Sequence, residues 1–335
     1  MFFHYFHDRV AAALQPEYVF LMKSDAGTTQ FRTFTEPLPL PAGSRVALLA
    51  PSGPLKDETD VARAVATAES LGWTPVVSPN VLRRDGYFAG DDSSRASDLN
   101  AAIADPDIDG IWCLRGGYGA MRLLSRIDVS PLRARPKPLI GYSDITALHS
   151  AWHRAGVMSY HGPVARAELT PFSRESLQRA VILCGDSAGA APDSETLREG
   201  RATGRLAGGN LALVAALSAS AWRVDFRDAI AVLEDVNEPI FRIDRMLVQL
   251  RLAGAFDGCR GLVFGHCTDI PVLPAEEGVR TLRDVVQETG DALSVPTLLG
   301  VPFGHIADQW TLPLGAAALL DARTKTLQVQ RHVRD

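Results

Sequence analysis

The chain has 335 residues, 46% hydrophobic and 22% charged, with a formal net charge of −5. This is the balance of a globular protein with a sizeable core and room for two domains. No run approaches the roughly 18 apolar residues of a membrane span, no basic segment followed by a long apolar one opens the chain, and the scattered Lys and Arg leave no footprint for nucleic acid. The expectation is a cytoplasmic protein with no membrane or nucleic-acid partner. In chain order, residues 1–44 stand apart: 1–14 is a His- and aromatic-rich helix candidate, and Pro37-Leu-Pro-Leu-Pro-Ala-Gly43 is a linker. Residues 45–50 read as a buried strand ending in the turn Pro51-Ser-Gly-Pro54, and 60–71 have helical periodicity that Gly72 stops. Strand 74–78, helix 94–104, strand 108–114, helix 120–127 and strand 139–142 repeat the pattern. Such alternation predicts a parallel sheet with helices on both faces.

After about residue 160 the rhythm changes. A helix over 174–183 is followed by a polar stretch over 185–200 and by the turn-rich Gly204-Arg-Leu-Ala-Gly-Gly-Asn210, which runs into 211–219. Strand 229–234, helix 241–253, strand 261–265, helix 278–289 and a terminal hairpin over 316–321 and 327–330 complete the chain. The expected division is an extension and linker over 1–44, an α/β domain over 45–165, a linker region over 166–200 and a mixed α/β domain over 201–335. Cys113, Cys184, Cys259 and Cys267 form no C-x-x-C pair and no zinc-finger spacing, so they read as reduced thiols. His266 beside Cys267 is the one adjacency that raises a metal, and further ligands are missing; no metal or cofactor is expected.

Pro138-Leu-Ile-Gly-Tyr-Ser-Asp-Ile-Thr146 joins a short apolar run directly to a helical pattern, the layout of a nucleophile elbow. Ser143 is the candidate nucleophile, and the backbone N–H of Asp144 is free for an oxyanion. The pattern departs from G-x-S-x-G, because Ile145 stands where the second glycine belongs; a helix N-cap is the bland alternative. In open α/β sheets ligands gather at the carboxyl ends of strands, and three further ends here carry chemistry. Arg115-Gly-Gly-Tyr-Gly119 has the glycines of an anion nest, with Gly116 and Gly117 as the second half of an oxyanion hole. Glu234 and Asp235, with Glu238 beyond, supply carboxylates able to orient an imidazole, or to cap a helix or pair with Arg242 and Arg245. His305 follows Gly304 in a loop. The order Ser143, Glu234, His305 is that of nucleophile, acid and base in other α/β hydrolases.

These residues resemble the LD-carboxypeptidase family of serine peptidases, which includes muramoyltetrapeptide carboxypeptidases and microcin C immunity peptidases. The resemblance rests on Leu49-Ala-Pro-Ser-Gly53, Phe88-Ala-Gly90, Leu114-Arg-Gly-Gly-Tyr-Gly119, Gly141-Tyr-Ser-Asp-Ile-Thr-Ala147, Gly208-Gly-Asn-Leu211, Leu233-Glu-Asp235 with Glu238-Pro, and Phe303-Gly-His305, in that order. It implies a nucleophile-bearing N-terminal domain and a C-terminal domain carrying Glu and His. By motif, Ser143 attacks, His305 is the base and Glu234 orients it, with Glu238 as the alternative acid or a substrate contact. Asp144, Gly116 and Gly117 would provide oxyanion donors. Arg115, Arg242 and Arg245 are candidates for holding a terminal carboxylate.

The implied reaction is metal-free release of a C-terminal D-residue, such as D-alanine, from a murein tetrapeptide in peptidoglycan recycling, by a homodimer. An immunity-type peptidase acting on aminoacyl-nucleotide conjugates is the alternative enzyme. It would need an aromatic stacking platform, for which Trp310 and Trp222 stand as candidates. A non-catalytic muropeptide-binding protein is the alternative of another class.

Overall fold

The computed structural model describes residues 21–23, 28–30, 34–271 and 280–330; the helix expected over 1–14 lies outside them. β1 (Leu21–Lys23) and β2 (Thr28–Gln30) pair antiparallel. Residues 37–43 are irregular yet pinned: Leu40 is fully buried and its carbonyl accepts the Trp73 indole N–H at 2.8 Å.

The first sheet contains β3 (Arg45–Leu49), β4 (Thr74–Val77), β5 (Gly110–Cys113), β6 (Leu139–Gly141) and β7 (Ser159–His161). They lie parallel in the order β4-β3-β5-β6-β7. Successive strand residues face opposite sides, so both faces are apolar and both are covered. Leu49 and Ile111 pack against Leu99 and Ile103 of α2 (Asp92–Ala104) and Leu148 and Trp152 of α3 (Thr146–Ala155). Leu48 and Trp112 pack against Ala64 and Ala68 of α1 (Glu58–Ser70) and Leu177 of α4 (Pro171–Val181). Local signals set the helix ends: Asp57 accepts the Thr59 N–H at 2.9 Å, Asp91 accepts that of Ser94 at 2.8 Å, and Gly156 ends α3 in the left-handed region at φ 80°.

The helix expected over 120–127 is a single 3-10 turn, Ala120–Leu123. Beyond it the Asn100 side-chain amide holds the departing chain, donating to the Arg126 carbonyl at 3.0 Å and accepting the Asp128 N–H at 2.8 Å.

The second sheet is built from β8 (Gly189–Ala190), β9 (Glu195–Arg198), β10 (Arg201–Asn210), β11 (Ala229–Val236), β12 (Gly261–Thr268) and β13 (Thr297–Gly304), closed at one side by a C-terminal hairpin. Between β13 and that hairpin, β14 (Leu312–Leu314) returns to the first sheet and pairs antiparallel with β7. The hairpin is β15 (Ala317–Asp321) and β16 (Thr326–Gln330), giving the order β8-β16-β15-β10-β11-β12-β13-β9. The four central strands, β10 to β13, are parallel. Helices α5 (Leu211–Leu217), α6 (Ile240–Leu252) and α7 (Leu282–Leu293) bury Val214, Leu247 and Val285 on one face. The fold is therefore a parallel α/β domain followed by a mixed α/β domain.

Three further segments differ from the sequence reading. The turn-rich 204–210 lies in the ten-residue strand β10, two short strands occupy the polar stretch 185–200, and His305 follows directly on the strand β13. The glycines of β10 admit close neighbours rather than turns. A Cβ on Gly208 would stand 2.0 Å from the Val232 carbonyl oxygen, and φ there is 138°.

Candidate active site

Ser143 sits where β6 meets the 3-10 turn leading into α3, with φ 64°, a left-handed conformation that a serine adopts only under constraint. Gly116 closes on it: a Cβ there would lie 2.9 Å from Ser143 Cβ and 3.2 Å from Ser143 Oγ. The glycine loop and the serine are thus in direct contact. The Ser143 hydroxyl makes no hydrogen bond to another described residue.

A buried polar lattice holds the loops behind the elbow. The Asp144 side chain points inward and accepts from the Ser52 hydroxyl and from the Ala120 N–H at 2.8 Å. Burial pushes its carboxyl above the ordinary carboxylate range, opposed by those two hydrogen bonds. Gly53 N–H donates to the Gly116 carbonyl at 3.1 Å. Arg95, 2% exposed, donates to the carbonyls of Pro51 (2.6 Å), Gly119 (3.1 Å) and Gly90 (3.1 Å), while Asp92 neutralises it at 2.5 Å. One guanidinium therefore fastens three loops. Sequence reasoning missed both Arg95 and Ser52; Ser52 lies within the motif Leu49–Gly53 and Arg95 within an expected helix, but nothing local marks their side chains as buried.

Glu234 lies near the end of β11, fully buried, and its Oε2 is 2.7 Å from His305 Nδ1, just past β13. A carboxylate only accepts, so the shared proton sits on Nδ1, which leaves Nε2 as the ring nitrogen available to another partner. Both strand ends are irregular. The β11–β12 register shifts between Leu233 and Asp235, and the β12–β13 register between Phe264 and His266, which re-aims the side chains there. Gly304, φ 107°, lets the backbone pass close to the carboxylate: a Cβ there would meet Glu234 Oε2 at 2.9 Å. The His305 ring stands edge-on to Tyr142, with centroids 4.8 Å apart, which places it beside the residue preceding Ser143.

Asp235 points away from His305. It accepts from Asn210 Nδ2, Ala212 N–H and Val236 N–H, each at 2.9 Å, and burial pushes its carboxyl up to about 6. Glu238 is half-buried and pairs with Arg242 at 3.5 Å, and Arg245 stacks over Phe241 at 5.4 Å. Arg115 donates to the Pro54 carbonyl at 2.5 Å, and burial lowers its pKa. Behind Tyr142 lies His161, fully buried, with neither ring nitrogen hydrogen-bonded; burial holds it neutral, well below the usual histidine range.

Neither tryptophan offers a stacking platform at this site. Trp310 is buried, and Trp222 packs on the first core beneath Arg154. Among the described residues no group of three or more His, Cys, Asp or Glu converges on a point that would hold a metal, so His266 and Cys267 find no further ligands there. No helix among them is long and apolar enough to cross a membrane.

Residues 46–162 match the LD-carboxypeptidase N-terminal domain and residues 203–320 the LD-carboxypeptidase C-terminal domain. The murein tetrapeptide carboxypeptidase of Pseudomonas aeruginosa is 36% identical over 294 residues, spanning 84% of this chain and 94% of that protein. The muramoyltetrapeptide carboxypeptidase of Oxalobacter formigenes superposes with a TM-score of 0.77 at 28% identity, over 85% of this chain and 98% of that one. The microcin self-immunity protein MccF, solved with aspartyl sulfamoyl adenosine, superposes with a TM-score of 0.79 over 88% and 98% of the two chains, and at 24% identity that likeness is one of fold. Two domain matches in sequence order, over the same two sheets that carry the serine elbow and the Glu–His pair, leave one placement: the chain belongs to the LD-carboxypeptidase family of peptidases.

Proposed function

We propose that the chain is a serine LD-carboxypeptidase that hydrolyses the bond between an L-centre and a C-terminal D-residue, releasing D-alanine from murein tetrapeptides in peptidoglycan recycling. The observation that carries this reading is the buried 2.7 Å Glu234–His305 contact beside an elbow whose serine is held at φ 64°. The relative named murein tetrapeptide carboxypeptidase supports the substrate class.

In this reading Ser143 Oγ attacks the carbonyl carbon of the scissile bond while His305 Nε2 takes its proton. The tetrahedral oxyanion is met by the N–H groups of Asp144 and of the Gly116–Gly117 segment. His305 then protonates the leaving amine, D-alanine departs, and water attacks the acyl-enzyme with His305 again as base. Glu234 orients the imidazole and stabilises its cationic form. Arg115 and Glu238 contact the substrate. Domain units of 45–165 and 201–335, a cytoplasmic homodimer, and catalysis without metal or cofactor belong to the same proposal.

The second reading is an immunity-type peptidase acting on aminoacyl-nucleotide conjugates. One observation favours testing it: Tyr87 and Tyr118, 66% and 53% exposed with ring centroids 5.5 Å apart, form an aromatic surface beside the glycine loop. The experiment measures D-alanine release from murein tetrapeptide by the purified protein, with a chelator present and alongside Ser143→Ala. Release spared by the chelator and abolished by the substitution is expected. Intact tetrapeptide with hydrolysis of an aminoacyl-nucleotide would transfer the assignment to the second reading, and binding of tetrapeptide without turnover of either would leave a muropeptide-binding protein.

A further inference from the structure

The chain leaving β7 crosses the carboxyl ends of the neighbouring strands. Gly162 N–H donates to the Gly141 carbonyl at 3.1 Å, Pro163 O accepts the Trp112 indole at 2.7 Å, and Ala165 N–H donates to the Cys113 carbonyl at 2.9 Å. The next residue, Arg166, is thereby set down over the end of β5, where Arg115 begins the glycine loop. Arg115 in turn lies near the nucleophile: its Nε is 3.6 Å from where a Gly53 Cβ would stand, Gly53 lies against Gly116, and Gly116 lies against Ser143.

The two guanidinium groups share little negative charge. Asp60, in the first turn of α1, is 3.9 Å from Arg166 Nη1 and 3.4 Å from Arg63 Nη1, and it also accepts the Lys56 N–H at 2.9 Å. Arg63 itself donates to the Arg166 carbonyl at 3.4 Å. One carboxylate thus faces two arginines directly, and its charge also reaches Arg115, while Arg166 Nε is buried and makes no hydrogen bond. The positive charge of Arg166 acts on Arg115 and on the phenol of Tyr142, the residue before Ser143. The surplus therefore lies on the side of the site that carries the glycine loop and Ser143. A surplus of partly desolvated guanidinium with an unused N–H is matched by a carboxylate, which accepts two parallel hydrogen bonds.

We propose that Arg166, with Arg115, holds the terminal carboxylate of the leaving residue, making the enzyme an exopeptidase by charge as well as by shape. This rests on the LD-carboxypeptidase reading above. Arg166 is a specificity residue: it acts on the group that departs, not on the bond that breaks.

The test compares two peptides, one ending in D-alanine and one in D-alaninamide, with the full-length protein and with Arg166→Gln and Arg166→Lys. A hydrogen bond to a charged group lost here lowers kcat/KM for the acid by about 10- to 100-fold, mainly through KM. The amide is cleaved slowly by the wild type, and its kcat/KM changes less than about two-fold in Arg166→Gln. Arg166→Lys restores part of the preference for the acid. Equal loss on both peptides, or no loss on either in a variant of unchanged thermal stability, overturns the proposal. A wild type that releases D-alanine and cleaves the amide equally well overturns it too while leaving the parent reading intact, whereas a wild type that releases nothing from either peptide overturns both.

Discussion

Gly116→Ala tests the contact on which the site is built. Gly116 is not among the glycines with positive φ, so alanine is allowed by its backbone, and removing a glycine from the unfolded ensemble is itself mildly stabilising. The perturbation is therefore steric and local. The new methyl would stand 2.9 Å from Ser143 Cβ and 3.3 Å from the Tyr142 carbonyl oxygen. Restoring a carbon–carbon contact of about 3.6 Å requires a displacement of about 0.7 Å, and Ser143 Cβ, unlike the tip of a flexible side chain, moves only with the elbow. A misplacement of about 1 Å, or loss of one oxyanion donor, costs roughly 100-fold or more. The expected result is a fall in kcat of about 100-fold with KM within about three-fold, and a stability loss of about 1–3 kcal/mol from overpacking.

The assay is steady-state D-alanine release, with thermal unfolding to show that the fold persists. Two further glycines grade the effect. At Gly53 a Cβ would press on the Gly116 carbonyl oxygen at 3.0 Å, one contact removed from the serine, so Gly53→Ala should lower kcat by about ten-fold. At Gly185 nothing lies within 4 Å, and Gly185→Ala should leave activity unchanged and raise stability by no more than about 1 kcal/mol. A folded Gly116→Ala protein that keeps kcat within three-fold of wild type would refute the reasoning, since the glycine loop would then not define the position of Ser143.

Glu234→Gln should lower kcat by about 10³- to 10⁴-fold with little change in KM, because the neutral amide no longer holds the proton on His305 Nδ1; Glu238→Gln, at a half-buried pair with Arg242, should cost less than about ten-fold, and the reverse ranking would transfer the acid's role to Glu238. Ser52→Ala leaves the buried Asp144 carboxylate with one donor fewer, so denaturant unfolding should show a loss of about 1–3 kcal/mol; an unchanged midpoint would mean that this hydrogen bond is not stabilising. Burial lowers the pKa of His149 from 6.5 to about 4, while its Nε2 faces the Gly141 carbonyl at 2.9 Å. Because the folded value is the depressed one, this contribution is complete above pH 6.5 and is lost as pH falls towards 4, amounting to about 3 kcal/mol. Asp235 works in the opposite sense: its folded value is raised from 3.8 to about 6, so its contribution grows as pH falls through that window. The readout is therefore the difference between wild type and His149→Gln, which should narrow by about 3 kcal/mol between pH 6.5 and 4; parallel curves would show that His149 is not held neutral.

The parts of this molecule that were legible in the sequence are those with a local cause. The strand-to-helix junction at Gly141-Tyr-Ser-Asp144 announced the elbow, and Gly72 beyond α1 marked a helix end by its freedom at positive φ. Local reading failed where a distant residue decides. Gly204, Gly208 and Gly209 look like turn formers, yet β10 needs them small because Ala229, Val232 and Thr146 crowd the strand from elsewhere in the chain. Residues 120–127 have helical periodicity, but the Arg126 carbonyl and the Asp128 N–H are taken up by the side chain of Asn100, which lies on another element. Arg95, His161 and Arg166 carried no signal, since an arginine that ties three carbonyls or a histidine buried without a partner is defined only by what surrounds it.

The proposed nucleophile and the proposed base come from different sheets, so their spacing is set by how the sheets are joined. Two seams flank the gap. On one side Asn210 N–H donates to Thr146 Oγ1 at 3.0 Å, its side chain donates to Asp235 and caps α5, and Gly209 packs directly on Thr146. Thr146 is three residues from Ser143, and Asp235 adjoins Glu234. On the other side the segment after His305 is sewn to α4: Gln309 N–H donates to Ser173 Oγ and Thr311 N–H to Ser176 Oγ, both at 2.8 Å, before β14 joins β7. Apart from the bond to the Asp235 carboxyl, these are neutral hydrogen bonds, and being buried they are costly to leave unmade. Opening or closing the gap by moving one sheet against the other would break both seams at once. In the proposed mechanism the Ser143–His305 hydrogen bond, which is not made here, would then form by rotation of the two side chains themselves rather than by movement of the sheets.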